Sequence, residues 1–273
     1  MRRSESRAPL VNFARIGDGP PLVLFHGIGH RWQAWEPVLD RLARHHEVIA
    51  VDLPGFGESP EPDSGLPADM AATVERVRNL LEHLGLDRPH VAGNSLGGAI
   101  ALELAAAGHV ASATALAPAG FHTLAERRRA HAILRTLRAN AYLPASLLRV
   151  VLRSKKLVSM TYGLLVVHPE YLSRDRLIGD AVALRRASAF DRVARADLYY
   201  QFNGEPAVPV TVAWGDHDRI LPPKQALRAQ ARLPNARHVL LTGCGHVPMS
   251  DDPEQAAAVI LSTTGAVPKS WQS

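Results

Sequence analysis

A serine flanked by glycines, in the stretch GNSLGG at residues 93–98, has the residue types and spacing of a nucleophile on a tight turn. A short apolar run precedes it, and an Ala/Leu-rich run typical of a helix begins at Ala99. A sharp turn from a strand into a helix projects the serine hydroxyl from the sheet and surrounds it with the free N–H groups of the helix N-terminus. Gly93 and Gly97 leave room for such a turn. Ser95 is therefore the candidate nucleophile, although a Gly/Ser-rich turn that merely starts a helix has the same composition.

A serine hydroxyl is a useful nucleophile at neutral pH only when a base takes its proton and a third group orients that base. His246 follows the apolar run HVLL, and two acids, Asp216 and Asp218, follow the apolar run VTVAW. Because the carboxyl ends of parallel strands collect at one edge of a sheet, we expect the histidine and an acid on the same rim as Ser95. The chain order of serine, acid and histidine is the one expected for this kind of elbow, and it leaves both aspartates open as the acid.

Apolar runs alternate with helical patterns through most of the chain. The pattern predicts strands at residues 21–25, 48–51, 90–93, 113–117, 210–214 and 238–241, and helices at 32–45, 68–84, from 99, 222–233 and 253–263. This alternation indicates an α/β fold, with a mostly parallel, twisted β-sheet that carries helices on both faces.

One long segment interrupts this alternation between two predicted strands. Residues 121–204 are rich in Arg, Leu and Ala and read as helical. We therefore expect a core domain of residues 1–120 and 205–273 and an inserted helical lid at 121–204 that covers the strand ends. A separate helical domain without contact to the site is the alternative.

Composition narrows the class of protein. The chain has 273 residues, of which 47% are hydrophobic, which suits one α/β domain with an insertion. Its single cysteine, Cys244, excludes an internal disulfide and favours a reducing compartment such as the cytoplasm. The N-terminal residues Met1–Arg7 contain arginines without a following apolar region, so we expect no secretory signal. Apolar runs of 18 residues are lacking, so no membrane span is expected.

Positive charge is concentrated in the predicted lid. The net charge is +5, and residues 122–203 hold 15 Lys and Arg against 6 Asp and Glu. We find no nucleic-acid-binding motif, so nucleic acid is not an expected partner. The excess indicates a solvated arginine-rich helical surface, with attraction of an anionic substrate or an anionic membrane surface as the alternatives. The oligomeric state stays open.

Five motifs together resemble the α/β-hydrolase superfamily, in particular its lidded serine esterases, its meta-cleavage product hydrolases and its cofactor-free haloperoxidases. They are HGIG at 26–29, DLPGFGES at 52–59, GNSLGG at 93–98, WGDHD at 214–218 and GCGH at 243–246. The resemblance implies Ser95 as nucleophile and His246 as general base and then acid. It also implies Asp218, four residues after the Trp of WGDHD, as the orienting carboxylate, with Asp216 as the rival.

The same resemblance implies two backbone donors for the negative charge that develops on a carbonyl oxygen, the N–H groups of Leu96 and Ile28. His26 and Asp52 are then structural residues of the loops that carry them. The sequence has no Cys/His cluster with metal-ligand spacing and no dinucleotide fingerprint, so we expect neither metal nor cofactor.

A serine nucleophile indicates acyl transfer to water, with a small-molecule ester or related acyl compound as substrate. Hydrolysis of a C–C bond is the alternative reaction: Asn94 agrees with the meta-cleavage product hydrolases, whereas Val247 stands where they commonly carry Trp. A small-molecule receptor that retains the triad is a further alternative. The apolar residues of the predicted lid could line a pocket, but we expect them to pack helices together. They are Leu134, Leu137, Leu143, Leu147, Leu148, Val151, Tyr162, Leu165 and Val166.

Overall fold

The computed structural model describes residues 11–63 and 65–266, without the side chains of residues 145, 148, 149 and 152. The N-terminal residues Met1–Arg7 and the side chain of Leu148, both interpreted above, lie outside this description. Over the described ranges, no helix is both long and apolar enough to cross a membrane.

The strands of the described chain form one sheet, and most of its pairings are parallel. The strands are β1 (Phe13–Ile16), β2 (Pro21–Phe25), β3 (Glu47–Val51), β4 (His90–Asn94), β5 (Ser112–Leu116), β6 (Val210–Gly215) and β7 (Arg237–Leu241). Their order across the sheet is β1-β3-β2-β4-β5-β6-β7, with β1 antiparallel to β3 and every other neighbour parallel. The predicted parallel sheet is confirmed. Edge strand β1 was not predicted, because its sequence FARI is largely exposed and has no apolar run.

Helices cover both faces of this sheet. They are α1 (Glu36–Leu42), α2 (Met70–His83), α3 (Leu96–Ala106), α4 (Leu124–Ala141), α5 (Ala145–Arg153), α6 (Lys155–Tyr162), α7 (Arg174–Arg186), α8 (Phe190–Asp197), α9 (Lys224–Arg232), α10 (Pro248–Asp251) and α11 (Pro253–Thr264), with 3-10 turns at Trp32–Trp35 and Pro169–Tyr171. The helix predicted over 32–45 is shorter in the structure. Pro37 occupies the first turn of α1, which suits a helix that begins at Glu36, and a 3-10 turn precedes it.

The two faces of the sheet can be followed along β2, where successive side chains point in opposite directions. Val23 and Phe25 belong to an apolar cluster with residues of α2 and α3. Leu22 and Leu24 belong to a second cluster with residues of α1 and α11. Burial on both faces is the reason that this strand reads as a continuous apolar run rather than an alternating one.

Five helices, α4 to α8, lie between β5 and β6, in the segment 121–204 that we call the insertion. A capping box begins α4: the Thr123 hydroxyl accepts from the N–H of Glu126, whose carboxylate accepts from the N–H of Thr123. Ser154 and Ser173 cap α6 and α7 more simply: their hydroxyls accept from the N–H groups of Leu157 and Arg176. These local signals divide an arginine-rich segment into separate helices.

Candidate active site

Ser95 lies at the turn between β4 and α3, with φ 56° and ψ −113°. This backbone conformation costs a non-glycine residue on the order of 1–3 kcal/mol and persists only where the surroundings hold it. The Ser95 N–H donates to the carbonyl of Leu116 at 2.9 Å, and the Ser95 carbonyl accepts from Ala99 at 3.0 Å and Ala119 at 3.1 Å. The turn is therefore fixed between β5 and the first turn of α3.

Two glycines allow this turn, because a side chain at either position would not fit. A Cβ on Gly93 would lie 2.0 Å from the carbonyl oxygen of Gly97, and a Cβ on Gly97 would lie 2.1 Å from that of Phe25. Both contacts are with backbone atoms, which cannot turn aside as a flexible side chain can. The glycines predicted to make room for the elbow thus stand where strand, turn and helix approach most closely.

His246 and Asp218 are joined by a hydrogen bond between His246 Nδ1 and Asp218 Oδ2 at 2.7 Å. The Asp218 side chain is fully buried, and its Oδ1 accepts from the N–H groups of Ile220 and Leu221, both at 2.8 Å. Each carboxylate oxygen thus has a fixed partner, as a group that orients an imidazole requires. The rival Asp216 instead contacts the neighbouring His217 at 2.6 Å.

Asn94 connects the serine turn to the histidine loop. Its side-chain amide donates to the carbonyl of His246 at 2.8 Å and to that of Leu116 at 3.1 Å. The residue before the candidate nucleophile therefore holds the loop of the candidate base. Sequence reasoning used Asn94 only as a family resemblance, because a bond across 152 residues leaves no local signal.

Asp251 holds the same loop from the other side, a role that sequence reasoning missed. Its carboxylate accepts from the N–H of Gly245 at 2.7 Å and from those of Val167 at 2.7 Å and His168 at 3.0 Å. Burial raises the pKa of Asp251, and these three hydrogen bonds act in the opposite direction. The histidine loop is thereby tied to the insertion.

The N–H groups of Ile28 and Leu96 are both available as donors. Leu96 is the first residue of α3, so its N–H has no partner within the helix. Ile28 follows Gly27, which is so close to the elbow that a Cβ there would lie 3.3 Å from the Cβ of Ser95. Among the described residues, neither N–H finds a hydrogen-bond acceptor. The two positions predicted for an oxyanion hole thus have unused donors near Ser95.

His26 and Asp52 make structural contacts. His26 Nε2 accepts from the N–H of Leu53 at 3.0 Å. The carboxylate of Asp52 accepts from the N–H groups of Trp32 at 2.6 Å and Glu58 at 2.9 Å. Both side chains are buried and join the loops that follow β2 and β3. These contacts agree with the structural roles that the resemblance implied.

Ser95 and His246 line one cavity of about 390 Å³, which lies between the strand ends and the insertion. Its wall is largely apolar and comes mostly from the insertion, through α4, α5, α6, α7 and the segments that connect them. Seven of the nine apolar residues that we expected to pack helices together line it: Leu134, Leu137, Leu143, Val151, Tyr162, Leu165 and Val166. Four of these seven, Leu134, Tyr162, Leu165 and Val166, also pack in the apolar clusters, so the expectation holds in part. A pocket wall and a helix contact both place apolar residues on one helix face, and sequence periodicity does not distinguish the two.

His30 and Asp180 add polar groups to the cavity wall. Burial lowers the pKa of His30 to about 4, so its ring is neutral at pH 7. His30 Nδ1 accepts from the N–H of Arg31 at 3.0 Å, which places the proton on Nε2. Asp180 in α7 accepts from Arg31 Nε at 3.2 Å and from Arg176 Nε at 2.8 Å. This charged cluster joins the insertion to the loop that carries Ile28.

Cys244 is close to His246 in sequence but is not a competing nucleophile. Burial raises the pKa of its thiol to about 12, so the reactive thiolate is scarce at neutral pH. In the described part of the chain, no three His, Cys, Asp or Glu side chains are arranged to hold a metal ion.

Residues 20–253 match the family described as alpha/beta hydrolase fold. Lipase 1 of Psychrobacter immobilis is 29% identical, over 88% of this chain and 75% of the lipase. A crystal structure of a bacterial membrane phospholipase A is 26% identical with a TM-score of 0.72, over 94% of this chain and 82% of that one. A meta-cleavage product hydrolase shares the fold at 18% identity and a TM-score of 0.72, over 94% of this chain and 95% of that one. The chain therefore belongs to the alpha/beta hydrolase fold family.

Proposed function

We propose that this hydrolase cleaves carboxylic esters through an acyl-enzyme, with Ser95 as nucleophile, His246 as general base and Asp218 as the orienting acid. The observation that carries the proposal is the 2.7 Å bond from His246 Nδ1 to the buried Asp218, on a loop that shares its cavity with the strained Ser95. Similarity to a lipase and to a phospholipase supports an ester as the substrate.

The hydrogen bond to Asp218 determines what His246 can do. With its proton on Nδ1, the imidazole presents a free Nε2 lone pair, which takes the proton of the Ser95 hydroxyl as Oγ attacks the ester carbonyl. The carbonyl oxygen becomes an anion and accepts from the N–H groups of Ile28 and Leu96, each worth about 10²–10³ in rate. The imidazolium then gives its proton to the alkoxide as the alkoxide departs. The acyl group stays bound to Ser95. Water, deprotonated by His246, releases the acid in a second cycle.

The cavity favours a small-molecule ester with an apolar acyl chain. Its volume of about 390 Å³ lies within the range of small-ligand sites. We propose that residues 1–120 and 205–273 form the core that carries the chemistry, with residues 121–204 as a lid that supplies most of the acyl pocket. A long chain gains contact with Leu137, Val151 and Leu165, whereas an acetyl group leaves most of this wall unused.

Hydrolysis of C–C bonds is less well supported by the site. A meta-cleavage product carries a carboxylate, and the described residues that line the cavity include Asp180 but no arginine or lysine. An unpaired anion in such a pocket is costly. A receptor with an unused triad requires the same cavity as an enzyme. It differs from the enzyme in binding the compound without turnover.

The test is a substrate series. Purified protein is assayed with p-nitrophenyl acetate, butyrate, octanoate and palmitate, beside one vinylogous diketone acid. We expect kcat/KM to increase from acetate to octanoate, and Ser95→Ala to abolish turnover without lowering the melting temperature. Turnover confined to the diketone acid would indicate C–C hydrolysis. Saturable binding of these compounds without turnover would indicate a receptor.

A further inference from the structure

A second cleft, of about 520 Å³, lies on the surface of the insertion, away from the residues assigned to catalysis. It is lined by residues of α5, α6, α7 and the 3-10 turn Pro169–Tyr171. Four exposed cations, Arg153, Lys155, Lys156 and Arg174, stand in it with one carboxylate, Glu170. None of the four forms an ion pair within 4.0 Å over the described ranges of the chain. The cleft therefore has an excess of positive charge that its single carboxylate, which interacts with Lys155, offsets only in part.

The carboxylate in the cleft is already engaged. Glu170 contacts His168 Nδ1 at 3.2 Å. A backbone hydrogen bond to its own N–H and the contact with His168 lower the pKa of Glu170, so it stays ionised at neutral pH. One negative charge against four positive charges leaves a net attraction for anions.

Exposed apolar side chains stand beside these cations. On α6, Met160 is 66% exposed and Leu157 is 37% exposed. Lys156 and Met160 are four residues apart and therefore neighbours on one face of the helix. Leu147 and Val150 of α5, and Tyr171 beside the cleft, are also largely exposed. Helix faces with cations next to exposed apolar side chains are typical of proteins that lie in the interface of an anionic membrane.

Two of these exposed apolar side chains are also part of the wall of the active-site cavity. Leu157 and Met160 line that cavity, whereas Lys155 and Lys156 line the basic cleft. Helix α6 thus lies between the two and contributes side chains to both. A molecule seated on this surface would touch side chains that also line the cavity of Ser95.

We propose that the surface formed by α5, α6 and the turn Pro169–Tyr171, here called the docking face, binds an anionic lipid bilayer. Headgroup phosphates would occupy the basic cleft, and Met160 and Leu157 would enter the interfacial region. A nucleic acid or an acidic protein segment could neutralise the cations but would leave these apolar side chains in water, which is why a bilayer fits better. If the proposed function holds, on which this last step rests, the docked protein takes its acyl ester from the membrane over Met160.

Binding is tested with the full chain as Ser95→Ala, so that lipid is not consumed. Co-sedimentation is measured with vesicles of phosphatidylcholine alone and with vesicles that contain phosphatidylglycerol. We expect at least about tenfold stronger binding to the anionic vesicles, which weakens as salt is added. Because each basic residue near such a surface contributes about fivefold, Lys155→Glu with Lys156→Glu should lower binding by about 25-fold or more.

The matched control is Arg185→Glu with Arg186→Glu, which makes the same charge change at the exposed end of α7, outside the cleft. We expect it to alter vesicle binding by less than about threefold. Both double variants, made with Ser95 intact, should hydrolyse soluble p-nitrophenyl butyrate like the wild type, which shows that they fold.

Equal binding to neutral and anionic vesicles, or equal loss in the two double variants, would overturn the proposal. Binding of inorganic phosphate or of duplex DNA without vesicle binding would overturn it as well. Vesicle binding by a protein that hydrolyses no ester would uphold the docking face and refute the proposed function, so the two can fail separately.

Discussion

Replacing Asp218 by asparagine changes one charge while preserving the shape of the site. Asp218 Oδ1 accepts from the N–H groups of Ile220 and Leu221, and Oδ2 contacts His246 Nδ1 at 2.7 Å. The amide oxygen of asparagine can keep the two backbone bonds. Its NH₂ group then faces His246 Nδ1, where an acceptor is needed.

The size of the expected loss in kcat follows from the tautomer that His246 adopts in Asp218→Asn. A neutral His246 that accepts at Nδ1 carries its proton on Nε2 and cannot take the proton of Ser95. The equivalent change in a Ser-His-Asp protease lowers kcat about 10⁴-fold, which corresponds to about 5 kcal/mol of transition-state stabilisation. Because the backbone bonds are kept, we expect the free energy of unfolding to change by only about 1–2 kcal/mol.

The assay measures kcat/KM for the hydrolysis of p-nitrophenyl butyrate. Unfolding in urea shows whether each variant is folded. Asp216→Asn is the matched control, because Asp216 contacts His217 at 2.6 Å and accepts from the N–H of Gly243 at 2.8 Å, whereas the imidazole of His246 is bonded to Asp218. We expect that variant to keep at least about a third of the activity. If Asp218→Asn kept more than about a tenth, or if Asp216→Asn lost as much as Asp218→Asn, the assignment of the acid would be wrong.

Three further predictions concern the elbow, the cavity and a buried histidine. Gly97→Ala places a Cβ 2.1 Å from the carbonyl oxygen of Phe25, so the free energy of unfolding, measured in urea, should fall by about 2 kcal/mol or more. The control Gly65→Ala, whose Cβ meets no atom within 4 Å, should lower it by about 1 kcal/mol. Equal losses in the two variants would contradict the crowding at Gly97. Leu137→Trp should fill the acyl cavity, lowering kcat/KM at least about tenfold for octanoate but less than about threefold for acetate, and a uniform loss would place Leu137 elsewhere. Burial lowers the pKa of His122 to about 4, and an unfolded histidine titrates near 6.5, so the unfolded state binds more protons between these values. Stability should therefore decrease by about 2 kcal/mol from pH 7 to pH 5 on account of His122, and urea curves for His122→Leu should lack that contribution; identical pH dependence in both proteins would refute it.

The fold could be predicted from sequence because its central strands are buried on both faces. Runs such as Leu22–Phe25 can be recognised without knowledge of their neighbours, and the glycines around Ser95 record a close approach of backbones. Edge strand β1 could not be recognised in the same way, because solvent on its exposed side removes the apolar pattern.

Residues of the candidate site could be predicted where they directly follow a strand. They could not be predicted where their role depends on a contact between segments that are far apart in the sequence. Ser95 and Asp218 follow the buried strands β4 and β6, and His246 follows the half-buried edge strand β7, so topology brings all three to one edge of the sheet. The bonds from Asn94 to the His246 carbonyl and from Asp251 to Gly245 and Val167 depend on how loops meet in space. No residue type or spacing signals such a meeting.

The insertion shows the same limit. Its helices could be predicted from composition and caps, but not the space that they enclose. An apolar helix face packs on a neighbour or lines a cavity according to the angles between helices, which the connecting segments and contacts such as Arg31 with Asp180 determine.

The most direct test of a nucleophilic Ser95 is labelling with a p-nitrophenyl alkylphosphonate. Attack by Ser95 Oγ on phosphorus releases one p-nitrophenolate and leaves a stable phosphonyl serine, which mass spectrometry can locate. We expect one nitrophenolate per chain, an adduct on the peptide that contains Ser95, and labelling at least about 10³-fold slower in His246→Ala. An adduct on another residue, or the same labelling rate in His246→Ala, would contradict this expectation.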